Sequence, residues 1–148
     1  MESSLKSKEE RVFSEMAGEF VLSIQELGIK EVISVTYEPV RFAIPGGFYT
    51  PDFYVKGIKE DGSISLIHIE VKGSRHQRGY RTSRQRLGSA ASLYPEYIFI
   101  MVLVGARKRI VTEYEIINKI PFLRISVNSV KIYDKLIGTK SVDPPHTD

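Results

Sequence analysis

The chain has 148 residues, a formal net charge of +3, 42% hydrophobic and 26% charged residues, and no cysteine. That length favours one domain with a core of its own, and the missing cysteines exclude disulfides, thiolate metal sites and cysteine nucleophiles. No apolar run reaches the roughly 18 residues of a membrane span, and the charged start "MESSLKSKEERVF" does not read as a secretory signal, so a cytoplasmic protein without membrane association is expected.

Residues 8–27 place Val12, Phe13, Met16, Phe20, Ile24 and Leu27 three or four apart, which predicts an amphipathic helix stopped by Gly28. Residues 31–43 are β-branched and aromatic and read as a strand interrupted near Pro39, followed by the turn "IPGG" at 44–47. Strands are predicted at 52–57 and 64–72, joined by "KEDGS", in which Asp61-Gly62 is a hairpin signature. A polar, basic loop over 73–82 leads to a helix over 82–93, with Thr82 or Ser83 as N-cap and Pro95 as its end. The longest apolar run, "YIFIMVLVGA", supplies a buried central strand over 97–104. "GARKR" (105–109) is a basic turn, and "TEYEIINKI" (112–120) is read as a short helix opening on acidic residues. A last hairpin is expected over 122–136 around Asn128-Ser129, with a disordered tail from Gly138. The order predicts an α/β domain over residues 1–137, a mixed sheet flanked by helices, and a tail over 138–148.

Alternation along 64–72 sends Ile67, Ile69 and Val71 to one face and His68, Glu70 and Lys72 to the other; Asp52, Tyr54 and Lys56 share a face in the preceding strand. Pairing around Asp61-Gly62 brings Asp52 and Glu70 together at the end away from the turn, with one residue of slack for a bulge or twisted turn to absorb. Two carboxylates a few ångströms apart repel and favour a bound cation. Hard oxygen ligands select Mg2+, with Mn2+ as substitute, and leave coordination positions for water and a phosphate oxygen. Lys72 on the same face is placed to orient the water or to neutralise charge at phosphorus, and the backbone carbonyl of Val71 is placed to complete the coordination. The plainer alternative is a surface ion pair between Glu70 and Lys72, with Asp52 capping a strand start.

Between Glu70 and Glu96 there is no acidic residue, while Lys72, Arg75, His76, Arg78, Arg81, Arg84 and Arg86 fall in that interval. Cations so spaced, with no counter-charge nearby in sequence, predict a surface for a polyanion, to which Arg107, Lys108 and Arg109 add if their turn lies at the same sheet edge. Tyr80 suits either base stacking or ordinary packing, and His76 either a phosphate contact or a general acid.

"YTPDF" and "IEVKG" closely resemble the PD-(D/E)xK nuclease superfamily, with Pro51-Asp52 matching the first motif and Glu70-Val71-Lys72 the second. "YEPVRFAIPGGFYTPDF" looks especially like the phage branch that contains Holliday-junction resolvases and related small endonucleases, and the nuclease subunit of certain transposons is similar here too. The resemblance covers about residues 14–104 and is most specific at the hairpin. It implies a restriction-endonuclease-like fold, a mixed four- to five-stranded sheet flanked by helices. It also implies a Mg2+-dependent DNA endonuclease without organic cofactor, selective for branched DNA, and at work in a host cytoplasm if phage-encoded. Symmetric cuts on a junction imply a homodimer. In that superfamily the first helix often adds an acid to the metal site, for which Glu19 fits best among Glu15, Glu19 and Glu26, and Gln85 resembles a polar active-site position. Restriction-, transposon- and repair-type nucleases on duplex or single-stranded DNA remain alternatives. So does a non-catalytic nucleic-acid-binding module, which would keep the arginines and lose the carboxylates.

Overall fold

The computed structural model describes residues 7–38 and 40–117, together with the backbone of 124–126. The first helix, α1 (Lys8–Ser23), starts where the Ser7 side chain accepts the Glu10 N–H at 3.0 Å, and it buries Val12, Phe13, Ala17, Phe20 and Val21 along one stripe. The predicted helix runs to residue 27, but α1 stops earlier. Ile24 turns extended, Gln25–Leu27 form one 3-10 turn, and Gly28 closes it at φ 65°, a left-handed conformation that costs glycine little.

Among the described residues eight strands follow: β1 (Ile29–Tyr37), β2 (Phe42–Ile44), β3 (Gly47–Tyr49), β4 (Phe53–Lys59), β5 (Ile64–Lys72), β6 (Ile98–Gly105), β7 (Ile110–Ile116) and β8 (Arg124–Ser126), with α2 (Tyr80–Leu93) between β5 and β6. The main sheet has the order β1-β4-β5-β6-β7-β8, and β2 and β3 form a separate hairpin. Its five long strands plus the three-residue β8 exceed the four or five expected by one short edge strand. Only β5 and β6 run parallel, as strands joined by a helical crossover do; the other pairs are antiparallel. The class is therefore α/β with a mixed sheet, and no helix among the described residues is long and apolar enough to cross a membrane.

Both faces of the sheet are covered, which is why β6 reads as an unbroken apolar run. On one face α1 packs Phe13, Phe20 and Val21 against Phe53, Val55, Ile67, Ile69, Ile100 and Val102. On the other, α2 and the β2–β3 hairpin bring Leu87, Ala90, Phe42 and Tyr49 onto Phe99 and Met101.

Two local expectations change. Residues 112–120 were expected to begin a helix, but residues 110–116 form the strand β7, antiparallel to β6. The period-two pattern Thr112-Glu113-Tyr114-Glu115-Ile116 buries Tyr114 and Ile116 while its glutamates face the α2 side, and the backbone edge of β6 takes the ladder. The second helix begins at Tyr80, not at 82. Gly79, at φ 84°, is its N-cap with no side-chain bond, so Thr82 and Ser83 lie inside the first turn. The expected 122–136 hairpin, apart from the backbone of β8, and the tail from Gly138 lie outside the described residues.

Candidate active site

The β4–β5 register pairs Phe53 with Ile69 and Ile58 with Ile64, so one rung further Asp52 faces Glu70 without a bulge. The slack expected from the sequence is not needed because residues 60–62 form a three-residue loop. Lys59 N–H donates to Ser63 O, Asp61 Oδ1 accepts the Ser63 N–H at 2.9 Å, and Gly62 sits at φ 88° as a left-handed loop residue must.

Asp52 and Glu70 are only 7% and 6% exposed. The Asp52 Oδ2 accepts the Val71 backbone N–H at 2.8 Å. Glu70 Oε1 accepts the Tyr49 hydroxyl at 2.5 Å, Ser83 of α2 also bonds Glu70, and Lys72 Nζ stands 4.0 Å from Glu70 Oε2. The β2–β3 hairpin thus has a polar task besides covering the sheet: it delivers Tyr49 to the carboxylate.

The third acid is Glu10, 8% exposed in the first turn of α1. Its Oε1 accepts the Tyr37 hydroxyl at 2.8 Å, and its carboxyl is hydrogen-bonded to that of Asp52. Glu19, the residue expected from the resemblance, is exposed. At 100° per residue, nine positions carry it to the side of α1 opposite Glu10. Glu15 is exposed as well and pairs with Arg109. A signal for Glu10 lay in the sequence: Glu10, Phe13, Ala17, Phe20 and Val21 continue one stripe at spacings of three, four, three and one, and an acid on an apolar stripe has a reason to be there.

Burial raises the Asp52 pKa far above the ordinary carboxylate range, with the charges of Glu70 and Glu10 adding to the rise and the Val71 N–H opposing it. Glu70 is raised by burial too, against the Tyr49 hydrogen bond and the Lys72 charge. Tyr49 and Tyr37 are raised by burial and by the glutamates they bond, which keeps both phenols protonated as donors. Without a cation, the centre retains protons between its acids.

Among the described residues no three or more His, Cys, Asp or Glu side chains form a ready-made metal cluster; the acids meet as pairs, Glu10 with Asp52 and Asp52 opposite Glu70. The donor set still fits a hard divalent ion: all its atoms are oxygens, they are buried, and Lys72 is the cation beside them. Mg2+ is commonly held by one or two carboxylates and completed by water. Each acid already has one partner from the protein that fixes its direction, so little ordering is left for an ion to impose.

The basic segment is less free than its sequence suggests. Arg75 pairs with Glu113, and Arg84 holds Glu115 with two bonds, Nε to Oε1 at 3.1 Å and Nη2 to Oε2 at 2.7 Å. The counter-charges missing nearby in sequence come from β7. His76, Arg78, Arg81, Gln85 and Arg86 are exposed on the loop and α2, and Arg107 and Lys108 are exposed in the β6–β7 turn. His68, on the face of Glu70, is not part of the acid cluster. It is 2% exposed, stacked 5.0 Å from Tyr54 at 13° and edge-on to Phe42 at 4.8 Å, and its Nδ1 has no hydrogen-bond partner. Compared with protein-family models, curated proteins and solved structures, the chain matches none.

Proposed function

We propose that the chain is a Mg2+-dependent DNA endonuclease of the PD-(D/E)xK type on a restriction-endonuclease-like sheet. The observation that carries this reading is a row of buried acids that meet in pairs, Glu10 of α1 with Asp52 before β4, and Asp52 opposite Glu70 of β5, beside the amine of Lys72. A module that only bound nucleic acid would have no use for buried like charges that raise one another's pKa.

Asp52 and Glu70 would hold the metal, Glu10 would take the place expected of Glu19, and the Val71 carbonyl would complete the set. The Val71 N–H points to Asp52, and the N–H and C=O of one strand residue share an edge, so the carbonyl opens toward the acids. Bound Mg2+ supplies Lewis acidity toward a phosphate oxygen and acidifies a bound water. Tyr49 fixes one Glu70 oxygen, which leaves Oε2 on the Lys72 side. From there Lys72 orients the attacking water or balances the charge that grows on the phosphoryl oxygens. Selectivity for branched DNA and a homodimer belong to the same reading, because resolving a junction takes two symmetric cuts.

Purified protein with Mg2+ is expected to cut plasmid or junction DNA, and Lys72→Ala and Asp52→Ala to lose at least about 100-fold in rate, the usual effect of deleting a group that stabilises transition-state charge. Equal rates for both variants and wild type would sink the assignment. Junction, flap, nicked and linear DNA compared side by side identify the preferred substrate.

A further inference from the structure

Next to the acids is a second feature, a cleft of about 1010 Å3 between the first turn of α1, the end of β5 and the β6–β7 turn. Five cations line it, Lys8, Arg11, Arg107, Lys108 and Arg109, against one acid, Glu9. Lys8, Arg11, Arg107 and Lys108 are exposed, and none has an acidic partner among the described residues, whereas Arg75 and Arg84 are bound to β7 glutamates. Uncompensated positive charge therefore gathers in the cleft as well as on the loop and α2, where Arg78, Arg81 and Arg86 are exposed.

The cleft and the acid centre are lined by neighbours in sequence. Glu9 lines the cleft and Glu10 the centre; Gly73 lines the cleft and Lys72 the centre. Gly73 presents no side chain to the cleft. A β-carbon there would come within 2.8 Å of Glu9 Oε2 and 3.1 Å of Gln77 Oε1, which accepts the Gly73 N–H. On the other wall, Arg109 takes φ 57°, a left-handed conformation unfavourable for a residue with a side chain. It closes the turn that presents Arg107 and Lys108 at the rim.

We infer that this cleft seats the phosphodiester backbone flanking the cut, with Lys8 and Arg11 on one wall and Arg107 and Lys108 on the other. The inference rests on the nuclease reading and extends it: α1 contributes both an acid to the centre and cations to the substrate path. Such contacts neutralise phosphates and read no base, so affinity should be strongly salt-dependent and nearly independent of sequence.

The test is fluorescence anisotropy of a labelled DNA duplex without metal, over a range of salt, using the full chain. Lys8→Gln/Arg11→Gln and Arg107→Gln/Lys108→Gln should each lower the slope of log K against log salt by about 1.8, two phosphates at about 0.9 each. Thermal melts check that each variant folds, and Arg75→Gln should change affinity less than about twofold, since its partner is Glu113. An unchanged slope in both cleft variants overturns the inference. With Mg2+ added, the cleft variants should keep kcat and raise KM. If wild type cuts and the slope does not move, the cleft fails and the nuclease reading stands; if the slope falls and nothing is cut, the cleft stands and the nuclease reading fails.

Discussion

Asp52 is held by a single backbone donor, the Val71 N–H, against two neighbouring carboxyl groups. Its raised pKa is therefore a statement about stability. In the folded chain it keeps a proton over a range in which the unfolded chain has lost it, so its contribution is fully present below the ordinary carboxylate pKa. That contribution is lost as pH rises through the raised value, and metal-free protein should lose stability toward neutral and alkaline pH. Mg2+ or Mn2+ should restore it with release of protons. Thermal melts at several pH values, with and without metal, measure both effects; melting temperatures that rise with pH above about 7 without metal, where histidine is largely neutral in both folded and unfolded chains, would contradict this. Asp52→Asn keeps an oxygen for the Val71 N–H and removes the repulsion. It should stabilise the metal-free protein by about 1–2 kcal/mol, a few degrees in Tm, while abolishing cleavage.

The β4–β5 hairpin was legible in the sequence because everything that shapes it is local: alternation fixes the faces and Asp61-Gly62 the turn. The helix that supplies the third acid was legible as a helix, but not in which acid it turns inward. A glutamate at the third helical position after a Ser N-cap ordinarily reaches back to the cap, and only the tertiary fold shows Glu10 turned to Tyr37 and Asp52 instead. β7 was misread because Glu113 and Glu115 resemble the acidic opening of a helix. Their role is set by Arg75 and Arg84, more than 30 residues away in sequence, a separation that local reading cannot bridge. Glu10→Gln and Glu19→Gln decide the matter of the acid. Cleavage should fall about 10- to 100-fold in the first, the usual effect of disturbing a metal's surroundings, and stay at the wild-type rate in the second.

At the scale of the whole molecule, the sheet separates two cores of different character, one under α1 that is almost wholly hydrocarbon and one under α2 and the β2–β3 hairpin that is rich in aromatic rings. The second encloses His68, and burial there lowers its pKa from 6.5 to about 4. A group depressed in this way binds fewer protons folded than unfolded, so its own contribution is lost as pH drops from 6.5 toward 4, by about 3 kcal/mol at most and opposite in sign to that of Asp52 over the same range. His68→Phe keeps the ring stack, removes the unpartnered Nδ1, and should make stability rise more steeply than in wild type as pH drops from 6.5 toward 4 in denaturant titrations; an unchanged pH dependence would contradict this.

Glu10 sits in the opening turn of α1, and the ends of helices are where fraying begins. The centre therefore takes an acid from the first turn of its supporting helix. A shortened clone that starts at Val12 would retain the sheet and pass a spectroscopic check of folding, yet be inert.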